Sequence, residues 1–560
     1  MVKRTFTVSL MLALLAFAVA AGAFTEARQG AQAPAKAAQA PAKTATAPQG
    51  PRPEQFKYPP LNFKIPKAAD FRHTLSNGLV VYIAENHDIP WFNASLMVKT
   101  GPFLESTDKL GVDNFTSSIM RSGGSTSMSG EAITERMDFL GGSLGAGGGG
   151  GRGRGVGQGG GRGGGGGGGD AKSLSIHMRH LDEGLKIWMD VITDPAFPED
   201  KLKREKESAI PPIRNRNRNV STVAARVYEE LIYGKGNPIT AETTEAGINS
   251  ITRNDLVAWH KKYWGGNNAI LVVSGDFKKA EMLQKLEATF GKWRTAEKAV
   301  VPVPQVAQAA KAGVYMVQPE GASPNQGVIR IGHLGLKTDD PDFPAVDLMN
   351  WILGGGSFSS RITKVVRTDN GLAYSTGSSF GGGGGGRGGG GGGAGLLYPG
   401  TFTASCQTKN STVVFASQLM LDLIEGMRNG DVSEADLKLA KNARINAFPS
   451  QQIFQDIGSI VQSFAGLEFN GRPVDYYETY LAKYQKVTLA DIKRVAQKYL
   501  RPADMIIMVA GNIEECRAGA DKLLPNQATI DAMAAKFGGR TIDGLAKKYG
   551  DGTVHIVSLK

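Results

Sequence analysis

Cysteine is nearly absent: Cys406 and Cys516 are the only two in 560 residues. A disulfide-stapled scaffold is therefore excluded, and what stays open is one bridge or two inert buried thiols. Histidine is also scarce, with seven in the chain. The only close pair, His177 and His180, has no cysteine nearby and no glutamate at ligand spacing, so both read as solvated or helix-capping residues. Past the N-terminus no stretch reaches the roughly 18 apolar residues of a membrane span. A broad basic surface is missing too. The formal net charge is +12, but Lys3, Arg4, Arg152, Arg154, Arg162, Arg387 and residues 201–218 account for nearly all of it, which makes nucleic acid a poor partner.

Glycine, by contrast, is abundant: 74 residues, with 18 of them in 147–169 and 13 in 381–395. Outside those tracts its frequency is ordinary, so the excess is two local insertions and not a globally disordered or collagen-like chain. The Arg-Gly-Arg-Gly run at 152–155 carries no interleaved aromatics of the kind that stack on RNA bases. Tolerated loop expansion and a substrate-contacting role are both open. At the N-terminus, Lys3 and Arg4 precede an apolar stretch from Phe6 to Ala20 and the small-residue site Ala21-Gly22-Ala23. This reads as a signal peptide over 1–23, cleaved before Phe24, and implies an exported, periplasmic chain with no membrane association after cleavage, the alternative being an uncleaved membrane anchor, for which the apolar stretch is short. Residues 24–53, rich in Ala, Pro and Gln, read as a flexible tether.

The organisation is set by an internal repeat. Residues 252–277 align without a gap on 488–513, an offset of 236, with Thr252/Thr488, Asp255/Asp491, Lys262/Lys498, Tyr263/Tyr499 and Gly275/Gly511 identical. Each copy reads as a Thr-capped helix followed by a buried strand. Two homologous domains follow, 54–290 and 314–515, joined by a linker at 291–313 and trailed by a 516–560 C-terminal tail. Asn77-Gly78 reads as a hairpin-type turn into a strand at Leu79–Ile83, and Phe92–Val98 as a second strand. Ile133, Met137 and Leu140 share a helical face ending at Gly141-Gly142, Leu174, Ile176 and Met178 alternate as a half-buried strand, and Ser433 with Asp436 forms a capping box. Without a strict β-α alternation, the fold class is α+β: in each domain a mostly antiparallel sheet with helices packed on one face.

The order NGLVVYIAENHDIPWFNASLMVKTGPFLE, GVDNFTSSIM, GGSL, PEDKLKREKE and the helix-strand repeat, followed by LMNWILGGGSFSSRITKVVRTDNGLAYS, resembles the pitrilysin/insulinase superfamily of zinc metallopeptidases (inverzincins) over residues 56–515. The resemblance implies a clamshell of which this chain forms half. Active members carry H-x-x-E-H, in which two histidines bind zinc and the glutamate is the general base. Here the aligned residues are Asn114, Ser117 and Ser118, and the third ligand position falls on Pro212 beside Pro211. The resemblance therefore implies no zinc in this chain. Two adjacent prolines are also expected to break the helix that presents this position.

On the second domain, Ser359–Thr368 reads as a helix ended by Asn370-Gly371, with a strand from Leu372. Arg367 in its last turn and Tyr374 early in the strand can meet across the turn. In the family an Arg and a Tyr at this separation reach to the zinc site and hold the substrate carbonyl, a task that suits fixed guanidinium and phenol donors. From the residues alone, dipole compensation and strand packing explain them equally. Gly354, Gly355, Gly356 and Ser357 resemble the family's substrate-handling glycine loop, the alternative being a plain helix-ending loop. Gly141-Gly142-Ser143-Leu144-Gly145 matches a nucleophile-elbow pattern, but a helix precedes it where a strand is required. Arg214, Arg216 and Arg218 read as a solvated face, with a chamber wall for acidic peptides as the alternative.

The combination resembles the zinc-free subunit of a two-chain peptidase that processes peptides beside a homologous zinc-bearing partner, with Arg367 and Tyr374 acting in the partner's site. The alternative is a non-enzymatic peptide-binding or scaffold protein with the same fold.

Overall fold

The structure is a computed structural model that describes residues 64–145, 171–321, 323–381, 398–449, 454, 456–519 and 527–559. The signal-peptide and tether expectations, and the glycine tracts apart from Gly381, lie outside the described residues.

Two six-stranded sheets organise it. The first contains β1 (Arg72–Thr74), β2 (Val80–Glu85), β3 (Trp91–Val98), β4 (Ser143–Leu144), β5 (Ser173–His177) and β6 (Ala269–Gly275), in the spatial order β1-β2-β6-β3-β5-β4. The second contains β7 (Gly313–Val317), β8 (Gln326–Leu334), β9 (Thr376–Gly381), β10 (Thr401–Lys409), β11 (Ile506–Ala510) and β12 (Val554–Ile556), in the order β12-β7-β11-β8-β10-β9. Pairing is antiparallel except at β2–β6, β7–β11 and β7–β12. The 516–560 segment thus joins the second sheet: helices Gln527–Phe537 and Ile542–Tyr549 lead into β12, its edge strand.

Local sequence signals explain much of this. Gly78 adopts φ +86°, which only glycine takes without strain, and turns β1 back onto β2 in register Thr74↔Val80. The two repeat helices, Arg253–Tyr263 and Leu489–Tyr499, both open on Thr/Asp capping boxes, and so does Glu434–Ala447 on Ser433 and Asp436. Each repeat helix leads through one turn into a central strand, β6 or β11. Every residue of β11 is buried, as a strand covered on both faces must be.

That double coverage is reciprocal between the halves. Each sheet's own helices pack on one face. The other face takes a helix from the opposite half: α3 (Val220–Tyr233) covers the second sheet, and α4 (Ile457–Phe469) covers the first. Val461, Phe464, Ala465 and Leu467 of α4 bury against Tyr82, Ala84, Ile270 and Val272. At its end the Glu468 carboxylate accepts two hydrogen bonds from Arg72, each 2.8 Å, and one from the Tyr82 hydroxyl at 2.6 Å. Val223, Ala224, Val227 and Tyr228 of α3 bury against Val328, Ile506, Met508 and Ala510, and the Tyr228 hydroxyl donates to the Phe402 carbonyl at 2.8 Å. A Cβ at Gly332 would stand 1.9 Å from that carbonyl oxygen and 2.5 Å from the tyrosine hydroxyl, so only glycine lets α3 approach. The offset of 236 carries residue 220 to 456, beside the start of α4, so the exchange follows the repeat.

Two buried histidines belong to the packing. His260 lies against Phe197 and Trp264 with Nε2 2.8 Å from the Ile192 carbonyl, and His333 accepts from the Arg501 amide at 3.0 Å. Burial pushes both down to about 4 from an ordinary 6.5. Unfolded imidazoles take up protons as pH falls through 6.5, whereas these do not until about 4. Their contribution to stability is complete above about 6.5 and lost on the way down to 4, at up to about 1.4 kcal/mol per pH unit each.

Two outcomes follow from the packing. Phe464→Ala, truncating a side chain 1% exposed, should cost about 3–5 kcal/mol in denaturant unfolding, and an effect below about 1 kcal/mol would mean that α4 is not part of the core. Chemical unfolding between pH 7 and pH 4.5 should show falling stability that His333→Asn or His260→Asn flattens; parallel pH profiles in parent and variants would refute the assignment.

Candidate functional site

α1 (Val112–Gly123) follows Gly111 at φ +113°, and the Glu105 carboxylate accepts from the Gly111 and Asp113 amides at 3.0 and 2.8 Å, a fitting charge for a helix start. Val112, Phe115, Ile119 and Met120 face the first core. That rotation leaves Asn114 exposed, Ser118 half-buried and Ser117 turned inward. α2 (Glu199–Asn215) runs antiparallel beside it: a Cβ on Gly123 would meet Pro198 Cδ at 2.5 Å, and further along Ser118 Oγ donates to Glu205 Oε1 at 2.7 Å.

One expectation fails here. α2 is continuous through Pro211 and Pro212 and is not broken. Both prolines are exposed, and so are Glu207 and Ser208, whose carbonyls lose their amide donors on the solvent side, while Ala209, Ile210 and Ile213 pack on the core and hold the backbone helical. The Asn215 side chain also donates to the Pro211 carbonyl at 3.0 Å. Pro212, the position that the family resemblance assigns to the third ligand, is therefore on a helix, but as a ring with no donor atom.

These residues do not fit zinc. Asn114, Ser117, Ser118 and Pro212 offer no imidazole, thiolate or carboxylate, and the carboxylate that Ser118 reaches, Glu205, already accepts its hydroxyl proton. Among the described residues no group of three or more His, Cys, Asp or Glu gathers as a metal site would. His177 caps a short 3-10 helix, its Nδ1 accepting from the Arg179 amide at 3.2 Å. Ser143 lies on edge strand β4, just after the helix Gly130–Phe139, which is no nucleophile elbow. Cys406 and Cys516 are free, buried and pushed up to about 12 by burial, so they are inert thiols. Arg214 and Arg216 are paired with Glu245 and Glu242, and so form no open basic wall.

The second-half residues do come together. Trp351–Gly355 and Thr363–Asp369 are π-helical, an uncommon geometry that concentrates at functional sites. Between them the glycine loop closes against β9. A Cβ on Gly354 would lie 2.4 Å from the Ser378 amide nitrogen, and Asn350 clamps Ser378 from the same side, accepting from its hydroxyl at 2.7 Å. Ser357 then takes φ +54°, strained for a residue with a Cβ. Arg367 leaves the second π-helical turn, Gly371 at φ +62° reverses the chain, and Tyr374 follows. Tyr374 is not in a strand as expected, because β9 begins only at Thr376. The preceding residues are spent filling the core with Leu372 and Ala373. The guanidinium carbon of Arg367 lies 4.6 Å from the centre of the Tyr374 ring and 4.7 Å from that of Phe358. Phe358 and Glu205 were not singled out as site residues from sequence. The signal for Phe358 is that it is the one aromatic in the Gly/Ser run 354–360.

Residues 250–444 match the family model described as the peptidase M16 inactive domain. Over that stretch the chain is similar to an M16 inactive domain. It is 24% identical over 315 residues to the uncharacterized zinc protease YmxG of Bacillus subtilis, covering 54% of this chain and 68% of that one. It is 20% identical over 336 residues to the non-peptidase homolog YmxG of Helicobacter pylori, covering 59% and 72%. The crystal structure of a peptidase M16 inactive domain from Pseudomonas fluorescens superposes with a TM-score of 0.61 at 22% identity, covering 79% of this chain and 97% of that one. The family resemblance read from the sequence and the M16-like α+β fold thus agree.

For this M16-like chain the replaced ligands define an outcome. Changing Asn114, Ser117 and Ser118 to His, Glu and His should not yield stoichiometric zinc after dialysis, whereas adding Pro212→Glu on the continuous α2 should, as measured by atomic absorption. One zinc per chain in the triple variant would show that Glu205, and not position 212, is the third ligand.

Proposed function

We propose that this chain is the zinc-free subunit of an exported, periplasmic two-chain metallopeptidase that degrades or processes peptides. It binds no zinc of its own and closes the clamshell over a homologous subunit that carries H-x-x-E-H and the metal. The observation that carries this reading is the direct Arg367–Tyr374 contact, 4.6 Å from guanidinium to ring centre, held at a loop with strained backbone on a chain whose metal positions are replaced. Retention of donors without the metal half is what a complementary subunit requires.

In this role the Arg367 guanidinium and Tyr374 hydroxyl donate hydrogen bonds to the peptide carbonyl oxygen as negative charge develops on it. Gly354, Gly355, Gly356 and Ser357 set the approach of the peptide backbone, and at the three glycines a side chain would collide with Ser378, Asn350 and Trp351. A second reading, a peptide-binding or scaffold protein without enzymatic activity, is favoured by the likeness to a relative named a non-peptidase homolog.

In complexes purified with the zinc-bearing partner, Arg367→Ala or Tyr374→Phe should lower turnover by about 10² to 10³, the usual loss of one oxyanion donor, with assembly unchanged. Parental cleavage rates in both variants would remove the Arg/Tyr role and favour the scaffold reading.

A further inference from the structure

Arg367 is one of four described arginines of its half without a carboxylate partner, and of the other three Arg428 donates to backbone carbonyls, Arg472 to the Thr338 hydroxyl, and Arg330 is buried against Tyr228. Arg361 is paired with Asp431 and Asp436, Arg444 with Asp347, Arg494 with Asp342 and Arg501 with Asp504. Among the described residues no carboxylate pairs with Arg367, and its recorded neighbours are two aromatic rings. Those rings are themselves displayed: Phe358 is 66% and Tyr374 85% exposed, among the largest apolar exposures of the molecule. An exposed Phe beside an exposed Tyr costs solubility unless something covers them.

The backbone shows that the arrangement is built. Ser357 in the left-handed region immediately precedes Phe358, Ser359 and Ser360 hydroxyls tie back to the Gly356 and Ser357 carbonyls at 2.7 and 2.8 Å, and the π-helical turn ends with Arg367 in its last residues. The rings cover the weakly hydrated faces of the guanidinium and limit its rotation. Its five N–H donors lie in the plane of the group, where a planar two-oxygen acceptor fits them. A lone carbonyl, as in the proposed catalytic role, uses at most part of that fork. A carboxylate uses it fully.

We propose that Phe358, Arg367 and Tyr374 form a carboxylate-recognition site for peptides, in which Arg367 binds the two oxygens and the rings hold apolar atoms of the neighbouring residues. It uses residues of the proposed active site but needs neither zinc nor the partner subunit, so the isolated chain binds such peptides without cleaving them. The carboxylate comes from an acidic side chain or from the peptide's C-terminus.

Isothermal titration of the purified chain with three otherwise identical hexapeptides tests this: one with a central Glu and an amidated terminus, one with Gln and a free terminus, and one with Gln and an amidated terminus. At least one carboxylate peptide should bind tenfold or more above the neutral one, and which of the two does so identifies the source. Arg367→Gln should erase the difference, Arg367→Lys should lose most of it although charge is kept, and Phe358→Ala should weaken binding about threefold to tenfold. Unchanged thermal melts would show that these exposed substitutions leave the fold intact. Equal affinity for all three peptides, no binding of any, or parental discrimination in Arg367→Gln overturns the proposal. Because no partner is present, these results are separate from the cleavage assay: an intact carboxylate preference with no partner-dependent turnover would sink the subunit reading alone.

Discussion

Each sheet buries its second face only because the opposite half supplies a helix, and the rest of the molecule depends on that exchange. Without α4, Tyr82, Ala84, Ile270 and Val272 would face water, and without α3 so would Val328, Ile506, Met508 and Ala510. At roughly 1.5–3 kcal/mol for each large apolar side chain kept from water, either loss is comparable to the net stability of a typical domain. The Arg72–Glu468–Tyr82 cluster fixes the register of one exchanged helix, and the Tyr228 hydroxyl on the Phe402 carbonyl fixes the other. The polar contacts add specificity to an attraction that the apolar surfaces already provide.

On this frame the two halves have had different fates. In the first, the two helices that face each other are intact, but Ser118 donates to Glu205, Asn114 is exposed, and the Ser117 hydroxyl is buried without a partner. Neutral residues at those positions remove the electrostatic cost of gathering carboxylate and imidazole without a metal. In the second half the opposite holds. Strain at Ser357, two π-helical turns and an unpaired guanidinium between exposed rings persist where a merely structural loop would have relaxed.

What the sequence revealed followed from how local each signal is. The Thr252 and Thr488 caps, the capping box at Ser433, the glycine turn at Gly78 and the strand around Phe92 are set within a few residues, and all appear as read. The helix exchange was not legible, because an amphipathic pattern in α3 or α4 says that a face is buried but not against which sheet. The continuity of α2 through Pro211 and Pro212 was misjudged for the same reason: tertiary packing of Ala209, Ile210 and Ile213 outweighs a local penalty applied on the solvent side. The Arg367–Tyr374 contact was legible because a single turn joins them, whereas the third member, Phe358, reaches Arg367 only through the conformation of Ser357, which no pattern of residue types announces.

On the proposed function, the chemistry of this chain is complete only beside a second subunit. The most direct measurement is peptide cleavage by the purified chain, by a homologous H-x-x-E-H-bearing chain, and by their equimolar mixture, each with zinc supplied. The expected result is no cleavage by this chain, weak cleavage by the partner, and a rate for the mixture at least about tenfold above the partner alone, one oxyanion donor accounting for no less. A mixture no faster than the partner, or zinc-dependent cleavage by this chain alone, would contradict it.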